Sequence, residues 1–252
     1  MTDAMSAEFD TVAEWTARVA RDLGPRFYVP AGCRGSGNPA ALDWLIDELD
    51  LSAGDTLLDC GAGVGGPAAY AARAREVRPV LVEPEAGACR ASRSLFDFPV
   101  AQAAASALPM DDETFDAAWC LGVLCTTGDQ LALLTELRRV VRAPGRIGLL
   151  VFVAQTSLSA DQQPEGNHFP TGDSLQRLLD DAGLRVENRL GTAELPEIPA
   201  EWQSSVQAVE DELQRRYGSD EVWQLSEQQS DQMGRLLGDR LVRGEVLSLR
   251  HA

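Results

Sequence analysis

Short apolar runs alternate along this chain with longer stretches whose apolar residues recur every three or four positions. The runs at Thr56–Cys60, 79–82, Val100–Gln102, 115–120 and 147–153 predict strands. Between them, stretches such as 67–73 have helical character. Short, near-continuous apolar strands separated by helices predict a parallel sheet covered on both faces. Further on, a helix over 174–182 is expected to stop at Gly183, before a sixth strand over 184–190. Ahead of the first strand, Phe9, Val12, Ala13, Trp15 and Val19 suggest an amphipathic helix over 7–23. A second helix is expected to begin at Asn38-Pro39, with asparagine as cap and proline at the first position. Near the C-terminus, Trp202, Val206, Val209, Leu213 and Tyr217 fall on one helical face. Another helical stretch follows, and 245–250 alternates as a last strand.

The most informative stretch is Leu57-Leu58-Asp59-Cys60-Gly61-Ala62-Gly63-Val64-Gly65-Gly66. An apolar strand ends in an acid, a glycine-rich turn follows, and a helix starts at once. That order brings backbone amides and a helix N-terminus up to a nucleotide-like ligand. The residues fit two ligands. Gly61-x-Gly63-x-x-Gly66, with Glu83 about 20 residues on, matches the dinucleotide fingerprint. The same turn also reads Asp59-x-Gly61-x-Gly63-x-Gly65.

Composition narrows the chemistry. The 252 residues carry a formal net charge of -17, which argues against nucleic acid and against an anionic membrane surface. All 22 basic residues are arginine, so Schiff-base chemistry and lysine-dependent phosphate loops are excluded. His168 and His251 are the only histidines. Five cysteines at irregular spacing fit neither a disulfide framework nor a zinc site. The N-terminus MTDAMSAEFD is acidic and does not read as a signal peptide, and no apolar run is long enough to span a bilayer. A cytoplasmic setting is expected.

Several further motifs, in order, separate the two ligands. Val82-Glu83-Pro84, Ala107-Leu108-Pro109-Met110 with Phe115-Asp116, Leu121-Gly122-Val123-Leu124, Leu137 through Gly145, and Phe169-Pro170-Thr171 followed by Leu178 to Leu184 cover roughly residues 57–190. Together they resemble the class I S-adenosylmethionine-dependent methyltransferases, of the type 11 family that includes the ubiquinone-biosynthesis enzymes. The resemblance implies an α/β, Rossmann-like, doubly wound sheet of seven strands, mostly parallel, with an antiparallel C-terminal strand and a helical cap. It implies a single domain: an N-terminal helical lid over 1–53, the cofactor-binding core over 54–190, a helical insertion over 191–242 and the last strand over 243–252. The expected activity is methyl transfer from S-adenosylmethionine to oxygen, nitrogen or carbon of a small metabolite, with secondary metabolism as the setting. The alternative is a cofactor-binding protein that does not methylate.

The resemblance also assigns residues. Asp59 would hold the methionyl amine, directly or through water, with Gly61, Ala62 and Gly63 along the cofactor. The turn amides and the helix start near Gly65 would favour the methionyl carboxylate. Glu83 would take both ribose hydroxyls, beside Pro84, while Ala105 and Leu121 would border the adenine, with Leu108 near by. Tyr28 would cover the sulfonium. The family usually has an acid just after the third strand, and here Ala104 stands in its place, which predicts weaker binding of the adenine amino group. His168 is the candidate base, and Arg34, Cys125 and Trp202 are candidates for the acceptor site. No metal is expected. Acceptor identity and oligomeric state, monomer or homodimer, stay open.

Overall fold

A computed structural model of the protein describes residues 7–252, with side chains from Phe9 onward. The acidic residues 1–6, and with them part of the expected leader-free N-terminus and lid, lie outside the described residues. A π-helical turn at Ala7–Val12 runs into helix α1 (Ala13–Leu23), and a short turn leads to α2 (Tyr28–Gly32) and α3 (Pro39–Glu48). The core then alternates: β1 (Thr56–Cys60), α4 (Gly66–Arg75), β2 (Arg78–Glu83), α5 (Ala86–Leu95), β3 (Val100–Gln102), β4 (Phe115–Leu121), α6 (Gln130–Val140) and β5 (Val141–Ala154). The chain ends with α7 (Gly172–Asp181), β6 (Leu184–Gly191), α8 (Ala200–Tyr217), α9 (Glu221–Gly238) and β7 (Val242–His251).

The strands form one sheet in the order β3-β2-β1-β4-β5-β7-β6. β1 to β5 are parallel to their neighbours, and β7 runs antiparallel to both β5 and β6. The last strand therefore inserts between β5 and β6, not at an edge. The strand order reverses at β1, so the connections that follow the parallel strands β1 and β4 go to opposite faces of the sheet and open a crevice at the strands' carboxyl ends. On one face, Leu133, Leu134 and Leu137 of α6 and Leu175 and Leu179 of α7 pack on Leu58, Cys60, Ala118, Ile147 and Leu149. On the other, α3 and α4 cover Leu57, Ala117, Trp119 and Leu121. Leu137 is fully buried; truncating such a leucine to alanine costs roughly 2–5 kcal/mol.

Most elements start and stop for readable reasons. The Asn38 side chain accepts the Ala41 amide at 3.2 Å, and Pro39 fills the first helical position of α3, where no donor is needed. One boundary differs from expectation. Pro144-Gly145 reads as a turn before the fifth strand, yet both residues lie within β5, whose first part pairs irregularly. Phe115 faces Val141 while Ala117 faces Arg146, so the extra residues bulge out between two paired positions.

The N-terminal and C-terminal helices meet over one region. α1 packs against α5 and α8, and the π-helical turn against α9. Their junction has its own apolar cluster, with Val12, Val19, Ala31, Leu95, Leu213 and Trp223. Asp10 accepts the Gly87 amide at the start of α5, which fastens the N-terminal turn to the core. Among the described residues, no helix is long and apolar enough to cross a membrane.

Candidate active site

The crevice at the carboxyl ends of β1, β2 and β4 opens into a cavity of about 510 Å3, within the size range of small-molecule sites. Gly61, Gly63 and Val64 form one side of it, and Glu83, Pro84 and Glu85 the next. Ala104, Ala105 and Ser106 follow from the loop after β3, then Leu121, Gly122 and Val123 after β4. The N-terminal segment closes over the top with Phe9, Ala13, Thr16, Arg34, Gly35 and Ser36. Thr126 to Asp129, Leu133, Gly166 and His168 form the far end.

The glycines allow this geometry. Gly61, Gly63 and Gly65 have φ of 75°, 53° and 88°, a region where a Cβ is strained. Gly66 has a different task. Its neighbour across the interface is Gly32 of α2, and a Cβ on Gly32 would stand 2.8 Å from the Gly66 Cα and N. The backbone of α2 thus lies directly on the start of α4. What reads in the sequence as the third glycine of a fingerprint is a contact with the N-terminal segment.

The turn amides are engaged differently from expectation. Gly61 and Ala62 N–H both donate to the Val82 carbonyl, at 2.8 and 3.1 Å. Gly65 N–H donates to Ala62 O, and Gly63 N–H to Glu83 Oε2, both at 2.8 Å. From Gly61 to Gly65, the Val64 amide is the one with no protein acceptor among the described residues.

Two acids lie at the base of the site. Glu83 is 5% exposed, and its Oε1 accepts the Glu85 amide at 3.0 Å. Each carboxylate oxygen therefore has one backbone donor and keeps a lone pair for a ligand hydroxyl. Burial pushes the Glu83 carboxyl up to about 7, against the pull of those two amides. Asp59 is buried deeper, beneath the turn, and its Oδ2 has no hydrogen-bond partner. Burial raises it to about 7 as well; the Ala68 amide and the adjacent Trp119 indole hold it back. A buried oxygen without a donor is costly, and this one lies behind the cavity wall, not on it.

The remaining sequence candidates divide by position. Gly61, Gly63, Glu83, Pro84, Ala105, Leu121, Arg34 and His168 all line the cavity; Asp59, Ala62, Tyr28, Cys125 and Trp202 do not. Ala62 is buried, its amide turned to Val82. Tyr28 sets its ring edge-on to Phe96, 6.4 Å between centroids, in the cluster under α1. Trp202 packs edge-on against Tyr70, 6.1 Å away, on the outer layer beside α4. Cys125 is buried in a separate small cluster and its thiol is pushed up to about 12 by burial. Its backbone matters more: Cys125 O accepts the His168 amide at 2.6 Å. Gln130 Nε2 donates to His168 O at 2.7 Å and to Leu124 O at 2.9 Å, fixing the His168 loop to the start of α6. Leu108, expected near the adenine, is core and does not line the cavity. Sequence reasoning missed Thr16, Ser36, Ser106 and Asp129. None carries a motif, and only the folding of three separate segments onto one cavity brings them together.

This architecture is the Rossmann-like methyltransferase fold. Residues 58–149 match the family described as methyltransferase domain, type 11, and that segment carries the glycine turn, Glu83 and the walls that β4 and its following loop contribute to the cavity. The chain is 32% identical to methyltransferase GfsG of Streptomyces halstedii over 45% of its length and 44% of that protein. It is 34% identical to 27-O-demethylrifamycin SV methyltransferase of Amycolatopsis mediterranei, over 48% of each. The chain thus spans about half the length of the curated relatives it matches. Among solved structures it superposes on the cyclopropane synthase MmaA2 of Mycobacterium tuberculosis with a TM-score of 0.67, at 15% identity, over 94% of this chain and 98% of that one.

The residues present fit the family's cofactor. A ribose needs paired acceptors, which Glu83 offers. An ammonium needs negative charge near by, and the Asp59 carboxyl lies buried just behind the cavity wall. Among the described residues no His/Cys/Asp/Glu cluster could hold a metal ion.

Proposed function

We propose that this protein transfers a methyl group from S-adenosylmethionine to a hydroxyl of a small secondary metabolite. One observation carries the reading: Glu83 sits at the end of β2 with both carboxylate oxygens anchored by backbone amides and facing the cavity that the glycine turn borders. The cofactor supplies a methyl group already activated on a positive sulfur. What remains for the protein is to bind, orient and exclude water. Glu83 accepts the two ribose hydroxyls. Pro84, Ala105 and Leu121 supply apolar surface for the base. Asp59 compensates the amine from beneath the turn. The N-terminal segment keeps water out.

A hydroxyl acceptor has a proton to lose, and His168 stands at the far end of the cavity to take it. The segment that carries it is held by Gln130 and Cys125, so the imidazole starts from a fixed backbone. A relative named 27-O-demethylrifamycin SV methyltransferase supports an oxygen acceptor. Tyr28, Cys125 and Trp202 act through packing in this reading.

The test is incubation of the purified protein with methyl-labelled S-adenosylmethionine and a panel of hydroxylated metabolites from a producing strain. Label is expected in an acceptor, and His168→Ala should lower kcat by about 10²–10⁴-fold with S-adenosylhomocysteine affinity unchanged. Cofactor binding without label transfer to any member of the panel would count against methylation. An unchanged kcat in His168→Ala would remove the base.

A further inference from the structure

Recognition of a negative group in this cavity falls largely outside the glycine turn. Four of the five amides from Gly61 to Gly65 bond within the protein, and Val64 alone keeps its donor for a ligand. The N-terminus of α4 is covered by the backbone of Gly32 and Cys33, and neither Gly65 nor Gly66 lines the cavity. The dipole end that would attract an anion is therefore sealed under α2. A single amide offers a carboxylate one hydrogen bond and no net positive charge, whereas a guanidinium can offer two parallel bonds and a full charge.

Arg34 brings positive charge to the same wall, beside Gly35 and Ser36. Its Nε donates to Glu210 Oε1 of α8 at 3.0 Å, and its Nη2 donates to Ser226 Oγ of α9 at 3.4 Å. The guanidinium lies 5.8 Å from the centre of the Trp223 ring. Ser226 and Trp223 are almost fully buried, and Trp223 is itself pinned by a 2.6 Å bond from Nε1 to Gln214 Oε1. Two helices from the end of the chain thus hold an arginine from its beginning at the cavity edge.

We infer that Arg34 recognises the carboxylate of the cofactor's amino-acid end, and that Glu210 and Ser226 are positioning residues for it. The inference rests on the placement of the cofactor in this cavity. It makes the α8–α9 pair part of the cofactor site and not only its cover. Arg34 is engaged by the protein on several sides, and the ligand carboxylate joins or displaces part of that set.

The experiment compares two ligands by calorimetry: S-adenosylhomocysteine, and 5′-methylthioadenosine, which has the same nucleoside and sulfur but no amino-acid end. In Arg34→Ala, S-adenosylhomocysteine should bind roughly tenfold to a hundredfold more weakly, as expected for a lost charge-assisted pair, while 5′-methylthioadenosine stays within twofold of wild type. Glu210→Gln should show the same selectivity at roughly threefold to tenfold, with Glu210→Asp recovering part of it. Thermal unfolding checks that each variant folds; if Arg34→Ala does not, Arg34→Lys, which keeps the charge but not the fork, carries the comparison. Equal loss for both ligands would mean that Arg34 only closes the cover, and no loss for either would mean that it does not touch the cofactor; each overturns the inference. If wild type binds neither ligand, the placement of the cofactor fails first and the inference with it.

Discussion

Cofactor binding should be strongly pH-dependent near neutrality, and the reason is Glu83. Without ligand its carboxyl is pushed to about 7 by burial. Two ribose hydroxyls donating to it favour the ionised form, so binding selects the deprotonated protein. For a pKa of about 7 the ionised fraction is about 0.9 at pH 8 and about 0.1 at pH 6. Apparent affinity scales with that fraction, so the Kd of S-adenosylhomocysteine should rise about tenfold between pH 8 and pH 6. Asp59, also raised to about 7, adds a second step of similar size if the ammonium needs it charged, for a combined limit of about a hundredfold. Calorimetry across pH 6–8, in buffers of differing ionisation enthalpy, measures both the slope and the protons released. Glu83→Gln keeps the volume but loses the charge. It should bind about 2–3 kcal/mol more weakly at pH 8, roughly thirtyfold to a hundred-and-fiftyfold, and its pH slope should fall by one proton. Any titration of the ligand itself cancels between the two proteins. A flat wild-type profile, or a Glu83→Gln profile as steep as wild type, would refute the reasoning.

Stability should depend on pH in the opposite sense. Asp59 is raised from 3.8 to about 7 in the folded chain, so the native state holds its proton more tightly than the unfolded one. In the absence of cofactor that contribution is present below about pH 4 and is lost as pH rises towards 7. Asp59→Asn should remove its share of the dependence, with that of Glu83 remaining, and leave the ligand-free protein more stable at pH 8 by up to about 4 kcal/mol, read by urea denaturation at pH 5 and 8; equal wild-type and variant stabilities at pH 8 would contradict it. Gly66→Ala drives a methyl into the Gly32–Cys33 backbone, which cannot yield as a side chain would. It should cost about 1–3 kcal/mol or more, with a lowered thermal midpoint as the readout; an unchanged midpoint would show that α2 does not rest on α4. All five cysteines are buried, so a thiol reagent such as DTNB should react with none of them until the chain unfolds; rapid labelling of any one would contradict the packing.

Much of the core was legible because its signals are local. An apolar strand, an acid and a run of glycines are adjacent in the chain, so Gly61, Gly63 and Glu83 could be placed at the strand ends that border the cavity, while the depth of Asp59 behind it could not. The strands over Thr56–Cys60 and Val100–Gln102 coincide with β1 and β3, since each is a bounded apolar run. β5 was harder: Pro144 and Gly145 carry the composition of a turn, but pairing with β4 on one side overrides local preference. Long-range placement was not legible at all. Nothing in Tyr28 or Trp202 distinguishes an aromatic that lines a cavity from one that packs an interface, because both uses want the same apolar ring. Asp129 and Ser106 lack any pattern of their own. Arg34 lay between these cases: its segment was recognisable, but its partners Glu210 and Ser226 are 176 and 192 residues away.

The sharpest change concerns the glycine turn. Adjacent glycines suggest amides presented to a ligand, and composition cannot show that Val82 O, Ala62 O and Glu83 take four of them first. Those internal bonds are what give the turn its shape, and a turn that holds itself needs no ligand to fold. The consequence is a division of tasks by charge. The acids at the ends of β1 and β2 are buried in the core, and the proposed reading gives them the hydroxyls and the amine. The positive group comes from outside the sheet, on a segment held by helices from the far end of the chain. An anionic ligand group would therefore be met only when the cover is assembled, whereas the nucleoside end is met by the core itself. Loosening the α8–α9 contacts of Arg34 should therefore weaken the carboxylate end before the nucleoside end, because that is where the charges are attached.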